Sequence, residues 1–178
     1  MRFESPATVR GRELLFSNDK KRPHLLVRKG GIRLPFLKVN LDPHGAVAML
    51  GNLCPVSEFG IKRMIERMIV LGEKELEYPE CEVKIDPEFA FHDRSCIRIE
   101  VSHPVRREHF QYHLARILID EEFQLPIRFE SYDWPATEGD APILKEEYTY
   151  QDLRLNVNLS DADFEPDNPE YRFTRREQ

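Results

Sequence analysis

The chain has 178 residues and a mass of 21.0 kDa, with a net charge of −6, a pI near 5.6 and a mean hydropathy of −0.56. With 40% hydrophobic and 33% charged residues, it has the composition of a globular domain that can bury a core without a disulfide or metal staple, not that of a disordered chain. The acidic balance argues against tracking nucleic-acid phosphates, which calls for a basic patch. The basic runs Lys20-Lys21-Arg22 and Arg175-Arg176 read as solvated loop and tail charge.

The first predicted strand covers residues 7–17, followed by a turn at Asn18-Asp19-Lys20-Lys21 and a returning strand over residues 24–29. Gly30-Gly31 marks a turn, and residues 32–41 form an extended stretch that Pro35 bends or places at an edge. Asp42-Pro43-His44-Gly45 is a turn signal before the short apolar stretch 46–50. A helix is predicted over residues 57–71, with Ser57 as N-cap, Glu58 in the first turn and Gly72 at C′. Its apolar stripe is Ile61, Met64, Ile65, Met68 and Ile69.

After a charged link over residues 73–80, period-2 alternation takes over. Strands are predicted at 81–85, 95–102, 110–120, 127–134 and 144–150, the last running into 153–157. Ile97, Ile99 and Val101 share one face of their strand, and Ala115, Ile117 and Ile119 share one face of the next. Short connections predict sequential antiparallel hairpins rather than βαβ crossovers. The parity change between Tyr148, Tyr150 and Leu153, Leu155, Val157 predicts a bulge or break near Gln151-Asp152.

No motif for catalysis stands in the chain. The three cysteines, Cys54, Cys81 and Cys96, form no CxxC and cannot complete a disulfide framework. A single Cys81–Cys96 bridge is left open for an oxidising compartment. His109 and His113 are four apart, but in a strand that spacing separates them by roughly 13 Å, so no metal site is expected. Asp86, Glu88, Asp93, Glu100, Asp120 and Glu130 read as solvent-face carboxylates, and the ten residues between His44 and Cys54 carry no geometric information for a base and nucleophile. There is no GxSxG, GxGxxG or Walker loop. No catalytic residue and no cofactor are expected.

Several segments carry a resemblance. They are residues 115–120 (Ala-Arg-Ile-Leu-Ile-Asp), 125–135 (Leu-Pro-Ile-Arg-Phe-Glu-Ser-Tyr-Asp-Trp-Pro), 147–157, 159–164 (Leu-Ser-Asp-Ala-Asp-Phe) and 168–173. In the first half, Arg10-Gly11-Arg12-Glu13, Leu41-Asp42-Pro43 and Gly60-Ile61 fit as well. These segments resemble a bacterial family of unknown function, number fifteen-seventy-one in the domain-of-unknown-function series. That family is similar in pattern to the LolA, LppX and RseB group, whose unclosed antiparallel barrel carries helices on a concave, acyl-holding face.

The resemblance implies a mainly β, α+β chain: one LolA-like domain over residues 1–178, a curved antiparallel sheet or unclosed barrel with a helix on its concave face. The function it implies is non-catalytic binding of a lipid or a lipoprotein acyl chain in the cell envelope, peripheral to the membrane at most and without nucleic acid. The expected ligand wall is Ile61, Met64, Ile65 and Met68 from the helix, with Ile97, Ile99, Val101, Ile117 and Ile119 from the sheet. A protein-interaction or sensor module with a filled core is the alternative, and a hydrolase a weaker one. The family carries an export signal, a helix and early strands ahead of the segment matching Arg10-Gly11-Arg12-Glu13. The chain is therefore expected to be an N-terminally shortened form of a periplasmic or exported protein, and cytoplasmic if Met1 is the true start.

Overall fold

The computed structural model describes residues 1–4, 7–17, 24–28, 38–50, 52, 54–137, 139–171 and 173. The protein is mainly β, with two unclosed antiparallel sheets of three and five strands and few helices. It divides into two compact units, Met1–Phe59 with Arg154–Gln178, and Gly60–Leu153. No helix among the described residues is long and apolar enough to cross a membrane.

The first unit holds β1 (Glu13–Ser17), β2 (His24–Arg28) and β3 (Lys38–Leu41), paired in the order β1-β2-β3. Leu15 and Leu25 are buried, and so are Glu13 and Arg28, which face each other in register. The strand predicted over 7–17 is shorter than expected, because Gly11 at φ 78° turns the chain just before β1. The apolar stretch 46–50 holds a short helix, α1 (Ala46–Met49), with Leu50 as its C-cap. A 3-10 turn at Asp161–Phe164 is closed by a capping box between Ser160 and Asp163. The predicted turns at 18–21 and 30–31, the segment 32–37 with Pro35, and both basic runs lie outside the described residues.

The second unit begins with α2 (Ile61–Glu75), followed by β4 (Glu82–Phe91), β5 (Arg94–Ser102), β6 (Leu114–Asp120), β7 (Leu125–Asp133) and β8 (Ile143–Thr149). The five strands pair in sequence order, the expected meander. The helix is displaced from its predicted bounds. Gly60, at φ 109°, is the N-cap, while Ser57 lies in a 3-10 turn, Val56–Glu58. Gly72 sits inside the helix, since a helical glycine costs only about 1 kcal/mol, and the helix runs on to Glu75. The strand predicted from 110 starts at Leu114, and the one predicted to continue through 153–157 ends at Thr149.

Register gives the five-stranded sheet two unlike faces. Ile85, Ile99, Ile117, Phe129 and Tyr148 stand opposite one another across β4 to β8, and directly opposed residues share a face. Beside that row lie Val83, Val101 and Ala115 on one side and the Ile97–Ile119 pair on the other. The alternate residues carry charge. Arg98 pairs with Asp86 at 3.1 Å, Arg116 with Glu100 at 2.8 Å, and Arg128 with Glu147 at 3.1 Å and also with Glu130.

The buried core of this unit, Cys96, Leu118 and Ile127 with Phe89, Phe91 and Leu153 packed against it, lies at one end of the charge-bearing face. A bulge opposite Leu118 and Ile119 leaves Ile127 as the extra residue of β7, which frees it to join the cluster. Next to it, Arg94 grips Asp120 with two hydrogen bonds, of 2.5 and 2.8 Å.

Candidate functional site

Two places in the second unit bear on function. The first is the apolar face of the five-stranded sheet. Ile97, Ile99, Val101, Ile117 and Ile119 are brought together there as neighbours on β5 and β6. All five are half-buried, so their apolar surface is only partly covered. At the β4 edge the same face opens, with Val83 53% and Ile85 64% exposed. Ile61, Met64, Ile65 and Met68 are half-buried on α2, whose main contact with the sheet is through β7 and not through β5 or β6. Ile69, counted in the helix stripe, is exposed.

The second place is a buried polar cluster where α2 ends. Glu75, the last residue of α2, is 6% exposed, His103, just past β5, is 0% exposed, and Tyr112, just before β6, is 6% exposed. The Tyr112 hydroxyl donates to Glu75 Oε2 at 2.6 Å. His103 Nδ1 lies 2.9 Å from the Tyr112 carbonyl oxygen, which can only accept, so Nδ1 carries a proton, and in the neutral imidazole Nε2 then presents a lone pair. Nε2 faces Glu75 Oε1 at 3.7 Å, and neither atom has a hydrogen-bond partner.

Cys81, half-buried in the link before β4, completes the group. One ligand atom each from Glu75, Cys81 and His103 lies within 4.8 Å of the others. They are the described residues able to hold a metal ion between them. Burial, with the Glu75 carboxylate adding to it, pushes the Cys81 thiol up from its ordinary range. Burial and the hydrogen bond to Glu75 raise the Tyr112 phenol far above its usual range and keep it protonated.

Aromatic rings wall the cluster. Phe110 stacks on His103 at 3.8 Å, and Tyr78 meets Phe110 edge-on at 5.5 Å. The His103 backbone is pinned as well, its N–H donating to the His113 carbonyl and its own carbonyl accepting from Trp134 Nε1 at 3.2 Å. His109 and His113 do not converge on a common point. His109 stacks on Tyr78 at 4.0 Å, and His113 Nδ1 bonds the His103 carbonyl at 2.9 Å.

An open groove of about 700 Å³ adjoins, lined among others by Arg106, Arg107, Trp134 and Lys145. Its cations are already engaged. Arg106 lies over Trp134, Arg107 pairs with Glu80, and Lys145 donates to the Gln111 carbonyl.

Glu75, His103 and Tyr112 escaped the reading from sequence. Glu75 falls seven residues after Met68, on the helix's apolar stripe, and a lone carboxylate on such a stripe is a usable signal. Ending the helix at Gly72 hid it. All three cysteines are free, so Cys81 and Cys96 do not pair.

No curated protein and no solved structure matches the chain. The sequence does match one family, described as "Protein of unknown function (DUF1571)", over residues 1–173. With the match spanning both sheets, the chain belongs to the DUF1571 family.

Proposed function

We propose that the chain is a non-catalytic binding module of the cell envelope that holds an acyl chain of a lipid or lipoprotein against the apolar face of its five-stranded sheet. The observation that carries this reading is the partly covered row Ile85, Ile99, Ile117 and Phe129, continued by Ile97, Ile119 and Val101. Fully packed sheets hide such a row, whereas here the β4 end is more than half exposed. An acyl chain gains roughly 0.8 kcal/mol for each CH₂ it buries. The charged alternate face gives the ligand no comparable surface.

On this reading α2 supplies the opposing wall through Ile61, Met64, Ile65 and Met68. Methionine's flexible thioether suits ligands of varying shape. The placement in the envelope, periplasmic or exported, rests on the resemblance to the LolA, LppX and RseB group. The ligand is the only partner proposed, with no nucleic acid and at most a peripheral contact with membrane.

Titration with a fluorescent fatty acid tests the reading. The wild-type chain should show saturable uptake. Ile85→Asp, at an exposed strand edge where the fold tolerates charge, should weaken it about tenfold, the equivalent of roughly 1.4 kcal/mol. Lys84→Ser, on the other face, should leave it unchanged. No saturable uptake, or equal affinity in wild type and Ile85→Asp, would rule the reading out.

A further inference from the structure

We propose that Glu75, Cys81 and His103 form a zinc site. The sequence pointed to no metal because the three residues have no motif spacing. The fold brings them together from the end of α2, the link before β4 and the residue after β5. Their ligand atoms lie within 4.8 Å of one another.

The independent observation is the orphaned pair. Glu75 Oε1 and His103 Nε2 are both buried, and neither makes a hydrogen bond. With the imidazole neutral, its Nε2 lone pair and a carboxylate oxygen do not attract each other, and two acceptors left buried and unsatisfied are costly. Their 3.7 Å separation is too long for a hydrogen bond. It is close to the roughly 3.3–3.6 Å between two ligand atoms that share a tetrahedral zinc. A cation between them satisfies both.

The surrounding bonds hold the ligand atoms in place. Tyr112 serves two ligands, its hydroxyl fixing Glu75 Oε2 and its carbonyl fixing the His103 Nδ1–H. Metal-bound histidines and carboxylates are characteristically held this way through the atom that does not ligate. The Cys81 N–H donates to the Tyr78 carbonyl at 3.2 Å, which anchors the backbone that carries the thiol.

The donor set is one sulfur, one nitrogen and one oxygen. Thiolate and imidazole select zinc over magnesium or calcium, which take oxygen ligands. Thiolate and carboxylate together neutralise the dication. Three protein ligands leave a fourth position for water or another ligand. A metal there would fasten the end of α2 to the chain on either side of β4 and β5, as a staple.

The experiment uses the full chain, stripped with a chelator, dialysed and reloaded with zinc or cobalt chloride. Wild type should bind about one zinc per chain and be stabilised against heat by it. Cobalt should produce a thiolate charge-transfer band that saturates at one equivalent. Cys81→Ser, a small change at a half-buried position, should lose that band and bind zinc at least about a hundredfold more weakly. Cys54→Ser should behave as wild type. The absence of a saturable thiolate band in wild type overturns the proposal, whatever the variants do. Equal zinc affinity in Cys81→Ser and wild type also overturns it.

Discussion

Asp120→Asn is expected to destabilise the chain by about 3 kcal/mol at neutral pH, because it breaks a buried ion pair from one side. Asp120 is 1% exposed. It accepts two hydrogen bonds from Arg94 and a third from the Phe123 N–H at 2.8 Å. Arg94 keeps Glu122 at 2.9 Å and the Phe123 ring, which holds the cost near the lower end for buried pairs. The Arg94 hydrogen bond is the main reason the Asp120 carboxyl sits below its ordinary range. Burial opposes it, and the Phe123 amide adds to it.

The sign of the pH dependence follows from that lowered value. The stabilisation is fully present above the unfolded carboxyl's pKa of about 3.9 and fades as pH falls through the lower folded value. The gap between wild type and Asp120→Asn should therefore be flat from neutral pH to about pH 5 and narrow below about pH 4. Urea unfolding at a series of pH values measures it. A gap that widens towards acid would mean that Asp120 is not held ionised by Arg94.

Leu118→Ala is expected to cost about 3 kcal/mol, because it empties space in the cluster with Cys96 and Ile127. Leu118 is 5% exposed and packed in that cluster, whereas its neighbour Ile117 points to the half-buried face. Ile117→Ala should cost only about 1 kcal/mol, since less of its surface leaves water on folding. Equal losses at the two positions, measured by urea unfolding, would mean that the apolar face is a filled core and not a surface open to a ligand.

The meander was legible because alternation is a strong signal where one face is apolar. Ile97, Ile99 and Val101 against Arg98 and Glu100 fix both the strand and its facing. The same rule misled at Leu153, Leu155 and Val157. They alternate, yet Asp152, Asn156 and Asn158 adopt positive φ near 51–55°, which no strand sustains. Asn and Asp tolerate that conformation, and their recurrence between the apolar residues was the overlooked sign.

The helix end shows a related effect, since Gly72 reads as a stop in the sequence but lies inside α2. That reading removes Glu75 from view, and with it the polar cluster. His103 and Tyr112 were invisible for a different reason. They lie just outside β5 and β6, and only the pairing of those strands brings them side by side. The facing of Ile97, Ile99, Val101, Ile117 and Ile119 was legible by contrast, because each strand's facing follows from its own residues.

The central claim is that the apolar face of the five-stranded sheet holds an acyl chain. Native mass spectrometry of the full chain, purified from a bacterial host without detergent, tests it most directly. The account predicts a population carrying one lipid-sized adduct, released by organic solvent and much reduced in Ile85→Asp. Protein that is free of adduct as isolated, and remains so after incubation with fatty acid, would contradict it.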